Sequence, residues 1–150
     1  YVPVTSRRDC LSVLAAFGLA PWSGAFAQVE QADAAIRALV KDARVRSGRI
    51  ALELPPLVEN GHSVALSVNV QSPMTEQDHV RSVHLFAEGN PLPGILTAYF
   101  TPRSGRAVLT SRVRLAQSQR IWAIAVMSDG SFWQTSAETL VTLSACTEER

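Results

Sequence analysis

From Ile50 to Leu143 the apolar residues recur at every second position over short stretches, the period of a strand with one buried face. Val64, Leu66, Val68 and Val70 alternate with Ser63, Ala65, Ser67 and Asn69, and Val83, Leu85 and Ala87 alternate with Ser82, His84 and Phe86. Further short runs follow at Ile95–Phe100, Ala107–Leu115, Arg120–Met127, Phe132–Thr135 and Thr139–Leu143. Turn-forming pairs separate them: Pro55-Pro56, Asn60-Gly61, Ser72-Pro73, Asn90-Pro91, Thr101-Pro102, Ser104-Gly105 and Asp129-Gly130. Asp129-Gly130 between two apolar runs predicts a two-residue hairpin. About seven short strands at this spacing predict a mainly β chain folded as an antiparallel β-sandwich. The Cys…Trp…Cys spacing of true immunoglobulin domains is absent, so the likeness to that fold is one of shape.

Upstream the period changes. Between Glu30 and about Arg46, Ala32, Ala35, Ile36, Leu39, Val40 and Ala43 fall on one helical face. Arg37, Lys41, Asp42 and Arg44 occupy the other side, and Ser47-Gly48 supplies a helix stop. The pattern predicts one N-terminal helix over about residues 30–46, covering an edge or end of a sandwich that spans about residues 50–143.

The first residues read as a targeting segment. Thr5-Ser6-Arg7-Arg8-Asp9-Cys10-Leu11 sets two arginines before an apolar stretch from Leu11 to Ala20, and Ala25-Phe26-Ala27 offers small residues for a signal peptidase. Charged start, short apolar middle and A-x-A end compose a secretory signal, and the arginine pair makes it a twin-arginine signal. Residues 1–27 are therefore expected to be removed on export, leaving a mature chain from Gln28 in an oxidising periplasm. Arg8-Asp9 before Cys10 does not fit the small apolar residues of a lipobox.

Composition narrows the function. The 150 residues carry 14 Lys and Arg against 13 Asp and Glu, a formal charge of +1, which leaves no electrostatic footprint for nucleic acid. At 47% hydrophobic and 18% charged the chain is too apolar for disorder, and its length fits one domain. No apolar run approaches the ~20 residues of a membrane-spanning helix. Motifs for nucleotide binding, hydrolysis and zinc ligation are missing, and no cofactor is expected. His79 and His84 stand at a poor spacing for shared metal ligation, and His62 beside Asn60-Gly61 reads as a loop residue, so no metal site is expected. Thr75 and Asp78 read as a turn or cap, and Trp122 and Trp133 as core aromatics.

One cysteine remains after export, Cys146, followed by the polar Thr147-Glu148-Glu149-Arg150. A single cysteine closes no internal disulfide; it is buried and inert, joined to another molecule, or chemically active. Residues 144–150 read as a flexible C-terminal arm, which favours the last two fates.

Several segments together carry a family resemblance. Pro55-Pro56-Leu57-Val58-Glu59-Asn60-Gly61, Ser72-Pro73-Met74-Thr75-Glu76-Gln77-Asp78-His79-Val80, Asn90-Pro91-Leu92-Pro93, Phe100-Thr101-Pro102-Arg103-Ser104-Gly105 and Met127-Ser128-Asp129-Gly130-Ser131-Phe132-Trp133 resemble SoxY, the sulfur-carrier subunit of periplasmic thiosulfate oxidation. The resemblance implies an immunoglobulin-like sandwich paired with a SoxZ-like subunit. It further implies sulfur intermediates held covalently on an arm cysteine and presented to periplasmic sulfur-oxidising enzymes. Cys146 is the position that matches the carrier residue.

The arm departs from the family's Gly-Gly-Cys-Gly-Gly pattern. Leu143-Ser144-Ala145-Cys146-Thr147-Glu148-Glu149-Arg150 has no glycine, and its carboxylates disfavour a thiolate beside them. It is closer to SoxY-related proteins with an Ala-Ala-Cys-Ile-Glu arm, which Ala145, Cys146 and Glu148 match. Ala145 and Glu148 are then the arm residues a partner enzyme would recognise, and the cargo would be another sulfur compound or serve another enzyme set. Two other readings stand beside the carrier: a non-covalent β-sandwich interaction module that has lost carrier chemistry, and an enzyme using Cys146 as nucleophile. The last has no nameable base or oxyanion donor.

Overall fold

The alternation at residues 64–70 is realised in full: Val64, Leu66, Val68 and Val70 are buried, and Ala65 and Asn69 are exposed. This stretch belongs to a computed structural model that describes residues 24–143. In chain order the elements are α1 (Gly24–Val40), β1 (Val45–Arg46), β2 (Ile50–Glu53), β3 (Leu57–Asn60), β4 (Val64–Val70), β5 (Val80–Ala87), β6 (Gly94–Tyr99), β7 (Ala107–Val113), β8 (Gln119–Met127) and β9 (Phe132–Leu143). A single 3-10 turn, Pro102–Ser104, stands between β6 and β7.

The strands form two sheets. The smaller has the order β2-β4-β7, antiparallel throughout. The larger runs β1-β9-β8-β5-β6, with β3 also on the outer edge of β9. Val83, Leu85, Ala87, Ile121, Ala123 and Ala125 of the larger sheet meet the inner face of the smaller one in a single buried core. The expected antiparallel sandwich with one helix is the observed architecture. Its edge strands β1 and β3 run parallel to β9, because the chain crosses from one sheet to the other and back between residues 45 and 60.

The helix differs from expectation in extent and position. It ends at Val40, not near Arg46, because Lys41 turns into the left-handed region at φ 55° while its N–H still donates to the Arg37 carbonyl at 2.7 Å. That reversal frees Val45 and Arg46 to pair with Phe132 and Trp133. Gly48, at φ 118°, is the bend between β1 and β2 and not a helix stop. The helix covers neither an edge nor an end. Ala35, Ile36, Leu39 and Val40 lie on the outer face of the larger sheet, against Phe86, Trp122, Ile124 and Phe132. This third layer explains why β5 and β8 are largely buried on both faces and why β8 reads as a nearly continuous apolar run. The expected cleavage position after Ala27 falls in the first turn of α1, and the arginine pair lies outside the described residues.

Two further expectations change. The runs Phe132–Thr135 and Thr139–Leu143 are one strand, since Gln134, Thr135 and Ser136 keep the ladder with Ile124, Ala123 and Trp122 despite their polarity. The hairpin loop between β8 and β9 is Ser128-Asp129-Gly130, three residues and not two, closed where the Met127 N–H donates to the Ser131 carbonyl at 2.9 Å. The Gly130 N–H donates to the Met127 carbonyl at 3.1 Å, and Gly130 then takes φ 82°, a tight turn followed by a left-handed glycine.

Candidate functional site

The C-terminal half of β9 is held by β3 to its last residue and, on the β8 side, as far as Val141. On one side β8 ends its pairing at Gln119–Thr139, and the Ser118 hydroxyl takes over beyond it: it accepts from the Val141 N–H at 2.8 Å and donates to the Val141 carbonyl at 3.4 Å. On the other side β3 runs parallel, setting Leu57 opposite Leu140, Val58 opposite Val141 and Asn60 opposite Leu143. Side chains add to the seam. The buried Thr139 hydroxyl donates to the Pro55 carbonyl at 2.7 Å, and Thr142 donates to the Glu59 carbonyl at 2.9 Å. Finally the Gly61 N–H donates to the Leu143 carbonyl at 2.9 Å, while the Gly61 carbonyl accepts from Leu115 at 2.8 Å. The strand is thus anchored to a point three residues before Cys146. Ala145, Cys146 and Glu148 themselves lie outside the described residues.

Leu57 and Leu140 form an apolar pair on the outside of this seam, 60% and 62% exposed. Leu140 falls in the expected run Thr139–Leu143, whereas Leu57, between the turn pairs Pro55-Pro56 and Asn60-Gly61, carries no strand periodicity. The parallel return of the chain creates the pair. The same fold places the His62 loop beside the arm's root, since Gly61 bonds Leu143. His62 is exposed, and its own N–H donates to the Asn60 carboxamide oxygen at 2.9 Å. Sequence separation hid this proximity of about 80 residues, which no local pattern encodes.

The remaining histidines lie elsewhere. The His79 ring donates through Nδ1 to the Thr75 carbonyl at 3.0 Å, inside a turn closed by the Asp78 N–H donating to Thr75 Oγ1 at 3.0 Å. Thr75 and Asp78 are therefore turn residues, as expected. His84 lies on the outer face of the larger sheet with Nε2 2.9 Å from Ser82 Oγ and Nδ1 3.2 Å from Thr97 Oγ1. Burial holds its imidazole below the ordinary value of 6.5, in the neutral form near pH 7. Among the described residues no three His, Cys, Asp or Glu side chains gather as a metal site would require.

Trp122 and Trp133 are structural. Trp122 Nε1 donates to Glu88 at 2.6 Å under the helix, and Arg120 lies over its ring at 5.9 Å. Trp133 packs against the inter-sheet core, with the Arg46 and Arg49 guanidinium groups 5.9 and 5.5 Å from its ring centre.

Comparison with known proteins adds a second line of observation. The family model described as sulfur oxidation protein SoxY matches residues 36–146, a span that ends on Cys146. No curated protein matches. Among solved structures the chain is similar to the sulfur carrier protein SoxY from Chlorobium limicola f thiosulfatophilum, with a TM-score of 0.63 and 21% identity over 76% of this chain and 98% of that one. It is also similar to a superoxide reductase (neelaredoxin) from Ignicoccus hospitalis, with a TM-score of 0.56 and 21% identity over 63% of this chain and 80% of that one. At such identities the structural likeness establishes the sandwich fold alone.

Proposed function

Because the chain belongs to the SoxY family of sulfur oxidation proteins, we propose that it is a periplasmic sulfur carrier whose Cys146 thiol holds the cargo covalently. The observation that carries this reading is the position of Cys146: three residues past a strand hydrogen-bonded through its last residue, and the one cysteine after Ala27. A rigid base with the reactive atom a short reach beyond it suits presentation of a group to successive enzymes. The cargo would be held as a persulfide or an S-sulfonate. Joining a thiolate to a reduced sulfur anion through an S–S bond releases a pair of electrons, so loading requires a redox enzyme as partner. A SoxZ-like subunit would complete the carrier, and Ala145 and Glu148 would be read by the enzymes that receive the arm. The protein's role is that of a substrate-bearing subunit, not a catalyst.

The reading is tested by the intact mass of the protein isolated from periplasm, before and after a thiol reductant. A chain beginning at Gln28 with a reductant-labile sulfur adduct, absent from Cys146→Ser, is the expected result. A free thiol in cells oxidising reduced sulfur, with a Cys146→Ser strain growing normally, would instead leave a non-covalent interaction module.

A further inference from the structure

The helix leaves one corner of the larger sheet's outer face uncovered, and a cavity of about 440 Å³ opens there. Its size lies within the range of small-molecule sites. Leu39 from the end of α1, Val126 of β8 and Phe132 of β9 give it an apolar floor. Ser82, buried, and the half-buried His84 form one wall, and Arg81 stands at the mouth.

Arg81 is aimed by a bulge. In the β5–β8 ladder Val80 pairs with Met127 and Ser82 with Val126, so Arg81 is the extra residue between them. A bulge re-aims the side chain it carries, at the cost of one broken ladder position. Among the described residues neither salt bridge involves Arg81, and no carboxylate lines the cavity. A cation without a counter-charge, beside donors and above an apolar floor, matches an anion that carries an apolar body.

The His84 chain supplies a switchable donor. In one tautomer the Ser82 hydroxyl donates to Nε2 and Nδ1–H donates to Thr97. In the other, Thr97 donates to Nδ1 and Nε2–H donates to Ser82, which frees the Ser82 hydroxyl hydrogen for a ligand in the cavity. We propose that this cavity binds a small organic anion, its carboxylate or sulfonate held by Arg81 and the Ser82 hydroxyl and its apolar body laid on Val126, Phe132 and Leu39. The cavity lies at the Phe132 end of β9, about 36 Å along the strand from Leu143.

The test is an NMR titration of the isotope-labelled full chain with benzenesulfonate, with benzyl alcohol and inorganic sulfate as controls. Benzenesulfonate is expected to shift Ser82, His84 and Val126 saturably and to move the His84 ring nitrogens toward the Nε2–H form. Benzyl alcohol and sulfate are each expected to bind at least about tenfold more weakly, and Arg81→Gln to weaken benzenesulfonate by about the same factor. Arg81 is exposed, so the variant should keep the resonances of the unliganded protein elsewhere. The proposal is overturned by equal affinity in Arg81→Gln, by sulfate binding as well as benzenesulfonate, or by no saturable shift at these residues.

Discussion

Ser118 and Val141 exchange two hydrogen bonds through one hydroxyl, which accepts from the Val141 N–H and donates to its carbonyl. A side chain here does the work of a missing backbone neighbour at the point where β8 stops and β9 continues. Ser118→Ala is expected to cost ~1 kcal/mol locally and to speed amide exchange at Val141 by about fivefold, with little change in global stability. Unchanged exchange at Val141 would show that β3 alone holds the strand end.

Ile124 is fully buried between the larger sheet and α1. Ile124→Ala should destabilise the fold by about 2–5 kcal/mol in thermal or denaturant unfolding. Because Trp122 shares that cluster, its fluorescence should report the loosened helix. A loss below ~1 kcal/mol would mean that the helix adds little to the sandwich.

His84 ties stability to pH. Its folded value lies below the ordinary 6.5, through burial. In the window between the two values the unfolded chain binds more protons than the folded one. Stability therefore falls as pH drops below about 6.5, and this contribution is flat above it. The melting temperature of His84→Gln, followed from about pH 7 to pH 5, should decline less than that of the parent. Parallel curves would refute the assignment.

Gly130 sits at φ 82° in the three-residue hairpin, with open space where a β-carbon would go. Gly130→Ala meets no clash but pays for the left-handed backbone, about 1 kcal/mol in unfolding. Gly130→Asn, which tolerates that region better, should recover part of the loss.

Local pattern carried much of this fold. The alternation of residues 64–70 and the turn pairs placed most strands within a residue or two, since half-buried strands write their faces into the chain. What it did not carry was long-range. Helix position depended on Lys41 reversing the chain, and the unity of β9 depended on β8 pairing with its polar middle. Cys146 was evident as the lone thiol after Ala27. The seam of Ser118, Thr139 and Gly61 behind it was not, because its members come from connections far apart in sequence. Arg81, likewise, reads as a plain outward residue until the bulge is seen.

The double pairing of β9 has a mechanical consequence. A pull on the chain beyond Leu143 acts along the strand axis, so the ladders to β8 and β3 bear the load together in shear, and not one bond at a time as in peeling. Tension applied beyond Leu143 would therefore leave the sandwich intact.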